Sequence, residues 1–147
     1  MPEIIRGALS QFSSDKPILL LCTDRLTLAK RRWRQCAEDG RDFGFDLEKP
    51  LCNGAVFFET ASHCYVVSQT KEPVLEIPFA NASSPSAMAL LGWNIGNLHF
   101  PIEIAEGCVR VADDDALRHL FEREHIHFVE AMAVFRPITS SSPHGHH

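Results

Sequence analysis

The apolar residues in the first half of the chain fall into short runs that are separated by turn-forming residues. Turn signals such as Asp15-Lys16-Pro17 and Asn53-Gly54 divide these runs, and no segment here has the spacing of an amphipathic helix. Residues 1–72 are therefore predicted to form a small all-β domain. Four runs rich in aromatic and β-branched residues predict its strands: residues 18–22, 43–47, 55–59 and 64–67.

The pattern changes after Pro73, where segments with helical spacing alternate with apolar runs. Ser84 followed by Pro85 predicts the start of one helix, and the acidic triplet around Asp114 predicts the start of a second. Strands are predicted at residues 74–78, 100–104, 108–111 and 127–135. The resulting order, strand–helix–strand–strand–helix–strand, is that of the ferredoxin-like fold.

These patterns together predict an α+β protein with three segments. The all-β domain of residues 1–72 is followed by a ferredoxin-like βαββαβ domain at residues 73–138. Residues 139–147 are polar and rich in serine and histidine, so they are expected to form a mobile tail. Domains of about 70 residues bury a marginal core, and a dimer interface would add to that burial.

Charge and hydropathy limit the partners of the protein. The formal charge is −5 with the eight histidines neutral, which argues against nucleic acid. The one basic run, residues 30–34, is either a docking place for an acidic protein or a nucleotide, or simply a solvated strand or loop.

No apolar stretch approaches the roughly 20 residues of a membrane span, and the N-terminus has no signal-peptide pattern. A cytoplasmic protein without a membrane partner is expected.

The five cysteines and the histidine spacing do not indicate an enzyme. The cysteines contain no C-x-x-C pair, so neither a zinc ribbon nor a redox motif is predicted, and reduced thiols are expected. A metal hydrolase needs about three protein ligands and a base, and the sequence contains no H-E-x-x-H or similar constellation. No catalytic activity is expected.

Histidine is the residue type that stands out, and it clusters late in the chain. His144, His146 and His147 lie within the last four positions, and imidazole suits Ni(II), Cu(II) and Zn(II). The tail could also be a cloning remnant. His99 lies where the first predicted helix meets a strand, so taken alone it is either a ligand or a helix cap. His125 and His127 would face the same way on a strand and could either grip an ion or line an exposed strand entry.

The segment Gly92-Trp93-Asn94-Ile95-Gly96-Asn97-Leu98-His99-Phe100-Pro101-Ile102 resembles the helix-to-strand motif of the UreE urease accessory family. That motif is a glycine, an aromatic residue, two residues, Gly-Asn, one residue, His, one residue and Pro. Weaker matches extend over nearly the whole chain, including Arg32-x-Arg34, Leu51-x-Asn53-Gly54 and Phe135-x-Pro137. Only the segment that contains His99 is highly specific.

The resemblance implies a homodimeric nickel metallochaperone that delivers Ni(II) during assembly of the urease active site. It implies an N-terminal domain that engages partners, a C-terminal domain that dimerises, and His99 from each subunit on one ion at the two-fold axis. Two imidazoles leave coordination positions open, which the tethered His144, His146 and His147 would fill. The implied partners are the urease accessory GTPase and the urease apoprotein.

The sequence leaves open both how strongly the protein binds metal and which metal it binds. Many relatives carry histidines just before the second helix, whereas residues 111–117 here contain carboxylates and no histidine, so no accessory metal site is expected. A protein-interaction adaptor of the urease maturation complex, with only weak metal binding, is the alternative function. The same donors would bind Cu(II) or Zn(II) in vitro, so the ligand types do not identify the physiological metal.

Overall fold

The computed structural model describes residues 1–138, which form a mixed α+β protein, as predicted. The chain divides into two compact units, Met1–Thr70 and Lys71–His147. The predicted boundary between residues 72 and 73 lies two residues after this division. The predicted tail, residues 139–147, lies outside the described residues.

The first unit is built from two three-stranded sheets, ordered β1-β4-β3 and β2-β6-β5. Both sheets contain a parallel pair, β1 with β4 and β2 with β6, and the other pairs are antiparallel. Its strands are β1 (Glu3–Ile5), β2 (Ile18–Thr23), β3 (Arg32–Cys36), β4 (Asp42–Asp46), β5 (Val56–Glu59) and β6 (Cys64–Gln69). The core is aromatic: Phe43 contacts Phe57 edge to face, with ring centroids 4.9 Å apart.

The all-β prediction for this unit missed one helix and two strands. Helix α1 (Arg25–Leu28) is a single turn, which is too short to leave a helical period in the sequence. It forms because the Asp24 carboxylate accepts a hydrogen bond from the Thr27 amide at 2.8 Å. Strand β1 has only three residues, and β3 carries the basic run, so neither has the apolar alternation of a strand.

The second unit has the predicted element order and a four-stranded antiparallel sheet with the order β10-β7-β9-β8. Both helices begin where predicted, because Ser84 accepts from the Ala87 amide at 3.1 Å and Asp114 accepts from the Ala116 amide at 2.8 Å. The elements are β7 (Glu72–Pro78), a 3-10 turn (Phe79–Asn81), α2 (Pro85–Asn97), β8 (Glu103–Ala105), β9 (Cys108–Ala112), α3 (Asp115–Arg123) and β10 (Val129–Ala133).

The core of this unit lies between the helices and one face of the sheet. Apolar residues of β7 and β9 alternate toward the helices and form one buried cluster with them: Leu75, Ile77, Val109, Val111, Leu91, Ile95, Leu117 and Phe121. Val74 and Phe135 are also fully buried, but they lie outside that cluster. Because Val74 neighbours Leu75 on β7, its side chain faces the opposite side of the sheet.

Two predicted strands are shorter than expected. Strand β8 starts at Glu103 instead of residue 100, and β10 spans Val129–Ala133 instead of residues 127–135. Before β8, the Phe100 amide bonds the Ile95 carbonyl at the end of α2 and Pro101 has no amide, so neither residue can donate to the sheet. Before β10, the Ile126 amide still bonds the Phe121 carbonyl of α3, one residue before the predicted start of the strand.

Candidate metal site at the end of helix α2

His99 directly follows the end of helix α2 and occupies a left-handed backbone conformation, with φ of 66°. Its amide donates to the Gly96 carbonyl at 2.9 Å, and the Phe100 amide donates to the Ile95 carbonyl at 3.3 Å. These two bonds define a Schellman motif in which His99 is the first residue beyond the helix cap. Glycine is the usual residue at this position, because a side chain there meets the following carbonyl oxygen.

The imidazole of His99 is exposed and takes no part in holding the turn. The two cap bonds are made by backbone amides, which any residue except proline supplies. Among residues 1–138, no hydrogen bond or ion pair occupies the ring. The left-handed conformation costs a residue with a side chain about 1–2 kcal/mol. Both ring nitrogens are therefore free to bind a ligand, at a position where the fold itself does not need histidine.

Helix α2 presents an unusually apolar surface beside this histidine. Its 13 residues include no charged side chain, and only Leu91 and Ile95 are buried. Leu90 and Trp93 are 58% and 64% exposed, and Leu98 is 52% exposed. By contrast, α3 has four charged residues among nine. Within residues 1–138 no helix combines the length and apolar character needed to cross a membrane.

An apolar groove continues this surface from α2 toward the sheet. Its volume is about 730 Å³. Its larger lining side chains include Phe79, Met88, Trp93 and Ile104. Phe79 and Ile104 are themselves 40% and 56% exposed. Contiguous apolar surface of this kind is typical of a protein–protein interface.

The predicted tail ligands, His144, His146 and His147, lie outside the described residues. The last described residue, Ile138, donates its amide to the Ile102 carbonyl at 2.8 Å. Ile102 is three residues after His99, so their Cα atoms are at most about 11 Å apart. The described part of the chain therefore ends beside Ile102, which follows His99 by three residues.

Helix α3 ends in the same motif as α2, and a histidine again occupies the left-handed position. His125 has φ of 57°, its amide donates to the Glu122 carbonyl at 3.2 Å, and the Ile126 amide donates to the Phe121 carbonyl at 2.7 Å. Of the two alternatives for His125 and His127, the structure does not support the one in which both rings lie on one face of a strand. His125 closes the helix, and both residues precede β10, which starts at Val129.

Two carboxylates of the acidic triplet at the start of α3, those of Asp113 and Asp114, have structural partners. Asp114 caps the helix, and Arg118 donates to both oxygens of Asp113 at 2.7 and 2.8 Å. This pairing holds the pKa of the Asp113 carboxyl below its usual value. The two carboxylates thus serve the start of the helix.

The described part of one chain does not hold a complete metal site. Among residues 1–138, no three His, Cys, Asp or Glu side chains are arranged to bind one ion. The formal charge nevertheless favours cations in the second unit. Residues 1–70 contain nine acidic and nine basic residues, and residues 71–147 contain ten acidic and five basic residues. A tight site at His99 requires further donors from the tail or from a second copy of the chain.

The last three residues of the basic run lie on β3, which forms one edge of its sheet. Arg32 bonds Asp46 at 3.2 Å, and Arg34 bonds Asp42 at 3.1 Å. Trp33 stacks on Phe45 with ring centroids 3.9 Å apart, which anchors the strand to the core. Half of the charge of this run is therefore balanced by nearby carboxylates.

Comparison with known proteins identifies the family. The family described as "UreE urease accessory protein, C-terminal domain" matches residues 72–147, more than half of the chain. A urease accessory protein UreE of Bacillus cereus is 26% identical over 142 residues, covering 94% of this chain and 91% of that protein. The UreE of Pseudomonas fluorescens is 27% identical over 122 residues, covering 81% and 72%. The helix-to-strand motif around His99 and these matches agree, and the chain belongs to the UreE family of urease accessory proteins.

Proposed function

We propose that this protein carries Ni(II) as cargo and delivers it during assembly of the urease active site. In this proposal His99 from each subunit of a homodimer binds the ion, and His144, His146 and His147 supply further donors. The observation that carries the proposal is the exposed imidazole of His99 in a left-handed position that favours glycine. Conformations that cost stability are concentrated at functional sites. Imidazole is a donor that suits Ni(II), Cu(II) and Zn(II).

The apolar surface of α2 supports dimerisation next to His99. An uncharged helix with exposed Leu90 and Trp93 gains stability when a second apolar surface covers it. A two-fold axis that passes near the end of α2 would bring the two copies of His99 together without any further ligand. The strand order β10-β7-β9-β8, with one helix in each half, also supports the ferredoxin-like class for residues 73–138.

A carrier must release its cargo as well as bind it. Two imidazoles leave coordination positions open, through which the ion can pass to a receiving site. Tail donors on a short tether raise the local ligand concentration without enclosing the ion in a rigid cage. Imidazole must lose its proton to bind metal, so Ni(II) uptake weakens as the pH falls through the range in which histidine becomes protonated.

The partners in this proposal are the other components of urease maturation. The relatives are named urease accessory proteins, which supports an accessory GTPase and the urease apoprotein as the proteins that this chain meets in the cytoplasm. The first unit is the proposed partner-binding domain. Lys30 and Arg31 are exposed beside β3 and offer positive charge to an acidic partner surface.

An adaptor with weak metal binding is the second candidate. It is favoured by the segment of residues 111–117, which contains no histidine and whose Asp113 and Asp114 carboxylates are engaged by Arg118 and by the start of α3. Under this alternative the protein would assemble the maturation complex, and His99 would contribute little. The two functions differ in the effect of removing the His99 imidazole. If the protein is a carrier, nickel affinity is lost. If it is an adaptor, nickel affinity and partner binding both stay unchanged.

The deciding experiment is Ni(II) titration by calorimetry on the full chain, on His99→Gly and on His125→Gly. Glycine suits the left-handed position in both variants, so the backbone is preserved and only the imidazole is lost. We expect His99→Gly to abolish the tight binding event, while His125→Gly, the matched control, retains it. Equal affinity of the full chain and a dimeric His99→Gly would contradict the carrier and support the adaptor.

A further inference from the structure

Two exposed cysteines lie where the two sheets of the first unit meet. Cys22 lies on β2, and Cys36 is the last residue of β3. We infer that these two thiols form a redox-sensitive pair, which a hydroperoxide converts into a reversible disulfide. The inference does not depend on the proposed nickel function, because it concerns the first unit alone. It gives a chemical role to two side chains that the metal proposal does not use.

The exposure of both residues is unusual for cysteine, which is among the most often buried residue types. Leu21 and Ala37, the neighbours of the two cysteines, are buried, with 0% and 6% exposure. Cys22 and Cys36 are exposed free thiols, whereas Cys64 is buried. Because side chains alternate along an extended chain, both exposed thiols point away from the core. A small oxidant in solution can therefore reach them.

The edges of the two sheets run side by side at this point. Strand β2 is an outer strand of one sheet, and β3 is an outer strand of the other. The Glu38 amide donates to the Leu20 carbonyl at 2.9 Å, and the Leu20 amide donates to the Glu38 carboxylate. Three residues before Glu38, the Gln35 side-chain amide donates to the Cys22 carbonyl. The later residue on β2 thus meets the earlier residue on β3, which is antiparallel order.

This order places Cys22 opposite Cys36. From the contact between Leu20 and Glu38, two steps forward reach Cys22 and two steps back reach Cys36. Opposite residues on antiparallel strands have Cα atoms about 4.5–5.5 Å apart and side chains on the same face. A disulfide requires Cα atoms about 4.4–6.8 Å apart. The register therefore brings the two thiols within bonding reach.

The charges beside Cys36 offset each other. Asp42 lies opposite Cys36 on β4, where its carboxylate alone would disfavour a thiolate. Arg34, two residues before Cys36 on the same strand, donates to Asp42 at 3.1 Å. The guanidinium thus supplies positive charge on the face of the strand that carries the thiol. Oxidation proceeds through the thiolate, so this arginine favours the reaction.

The reaction consumes one hydroperoxide molecule for each pair of thiols. One thiolate attacks a peroxide oxygen, the O–O bond breaks, and a sulfenic acid forms while the leaving oxygen takes a proton. The second thiolate attacks the sulfenic sulfur, so the S–S bond forms, the S–O bond breaks, and hydroxide leaves and is protonated to water. Each sulfur loses one electron, and the peroxide gains both. Glutathione reverses the change by thiol–disulfide exchange.

The disulfide would close a loop that contains the whole basic run. Helix α1 and the exposed Lys30 and Arg31 lie between Cys22 and Cys36. Joining the ends of this loop restricts its motion and links the two sheets covalently. Exposed disulfides are reduced more readily than structural ones, so this bond would act as a reversible switch. We expect oxidation to slow hydrogen exchange of the amides in residues 24–31.

The test is peptide mapping of the full chain after treatment with hydrogen peroxide. Trypsin cuts between the two cysteines, so residues 7–25 and residues 35–41 are separate peptides unless a disulfide joins them. We expect the joined peptide to appear and to disappear again with glutathione. The number of thiols titrated in the unfolded chain should fall from five to three. Cys52→Ser removes another exposed thiol and, as the matched control, should leave the joined peptide unchanged.

Two further comparisons show whether the fold directs the pairing. Cys22→Ser should abolish the joined peptide and leave Cys36 as a sulfenic acid or mixed disulfide. In urea the five cysteines can form ten pairs, so the share of this pair should fall severalfold.

The inference would be overturned by an equal share in urea, by sulfenic acid without the joined peptide, or by a joined peptide found only in cross-linked dimers on a non-reducing gel. Circular dichroism checks that Cys22→Ser still folds. Because no step involves nickel, failure here and failure of the proposed function are separate results.

Discussion

His99 and His125 occupy the same position in two copies of one helix-ending motif. Each is the first residue beyond the cap of its helix, with φ of 66° and 57°, and each is followed by an apolar residue whose amide bonds back into the helix. Their surroundings differ. His99 lies beside the uncharged surface of α2, whereas His125 follows a helix with four charged residues. Because the two backbones have the same conformation, a substitution at His125 is a control for the same substitution at His99.

Replacing His99 with glycine is expected to stabilise the protein while removing the proposed ligand. Glycine relieves the left-handed conformation but gains more freedom in the unfolded chain, so we expect a net increase of about 0.5–1 kcal/mol in the free energy of unfolding. Urea unfolding of the metal-free protein measures it. His99→Ala keeps a Cβ atom and should show no gain. A loss of stability in His99→Gly would mean that the imidazole supports the fold.

A negative charge on the outer surface of α2 is expected to prevent self-association. Trp93→Glu places a carboxylate on the 64% exposed position that the proposed interface would bury, and an unpaired charge in an interface costs several kcal/mol. Light scattering after gel filtration should give the mass of a single chain, 16.5 kDa, for this variant and twice that mass for the unsubstituted protein. His119→Glu, an exposed position on α3, is the control that should stay dimeric.

The ion pair between Asp113 and Arg118 is expected to stabilise the start of α3 in a pH-dependent way. Hydrogen bonds from Arg118 lower the pKa of Asp113 in the folded state. The carboxylate form therefore favours folding above the unfolded-state pKa. That contribution is lost as the pH falls below about 4, where aspartate is protonated in unfolded chains. Thermal melts of Asp113→Asn and the full chain should differ at pH 7 and converge toward pH 3. An equal difference at both values would argue against this linkage.

Arg110 is expected to be the critical member of the cluster that it forms with Glu76 and Glu103 on the sheet of the second unit. Arg110→Met leaves Glu76 and Glu103 facing each other without their shared partner, and we expect a loss of about 2 kcal/mol in the free energy of unfolding. Adding Glu76→Gln to that variant should recover part of the loss, because one like charge is removed. Urea unfolding of the single and double variants tests this. A double variant with a still lower free energy of unfolding would show that the two carboxylates do not repel each other.

Local features of the sequence determined where both helices of the second unit begin. Ser84 and Asp114 are followed by helical spacing, and each caps its helix with a hydrogen bond to an amide two or three residues later. Such bonds close within one turn, so neighbouring residues are sufficient to encode them. The specific segment around His99 likewise indicated a histidine at a helix end. In the first unit, by contrast, two strands were not predicted. Strand β1 is too short to show a pattern, and strand β3 begins with basic residues in place of apolar ones.

By itself, therefore, the sequence determined the α+β class, the helix caps and the position of His99 in the chain. Only the tertiary structure decided that His99 takes a left-handed conformation, since Phe100 bonds back to Ile95 while packing against the core. It also decided that Ile138 meets Ile102, which are 36 positions apart in the chain. Contacts of that kind depend on which strands become neighbours in the sheet. That order follows from the packing of the whole unit, and no short segment encodes it.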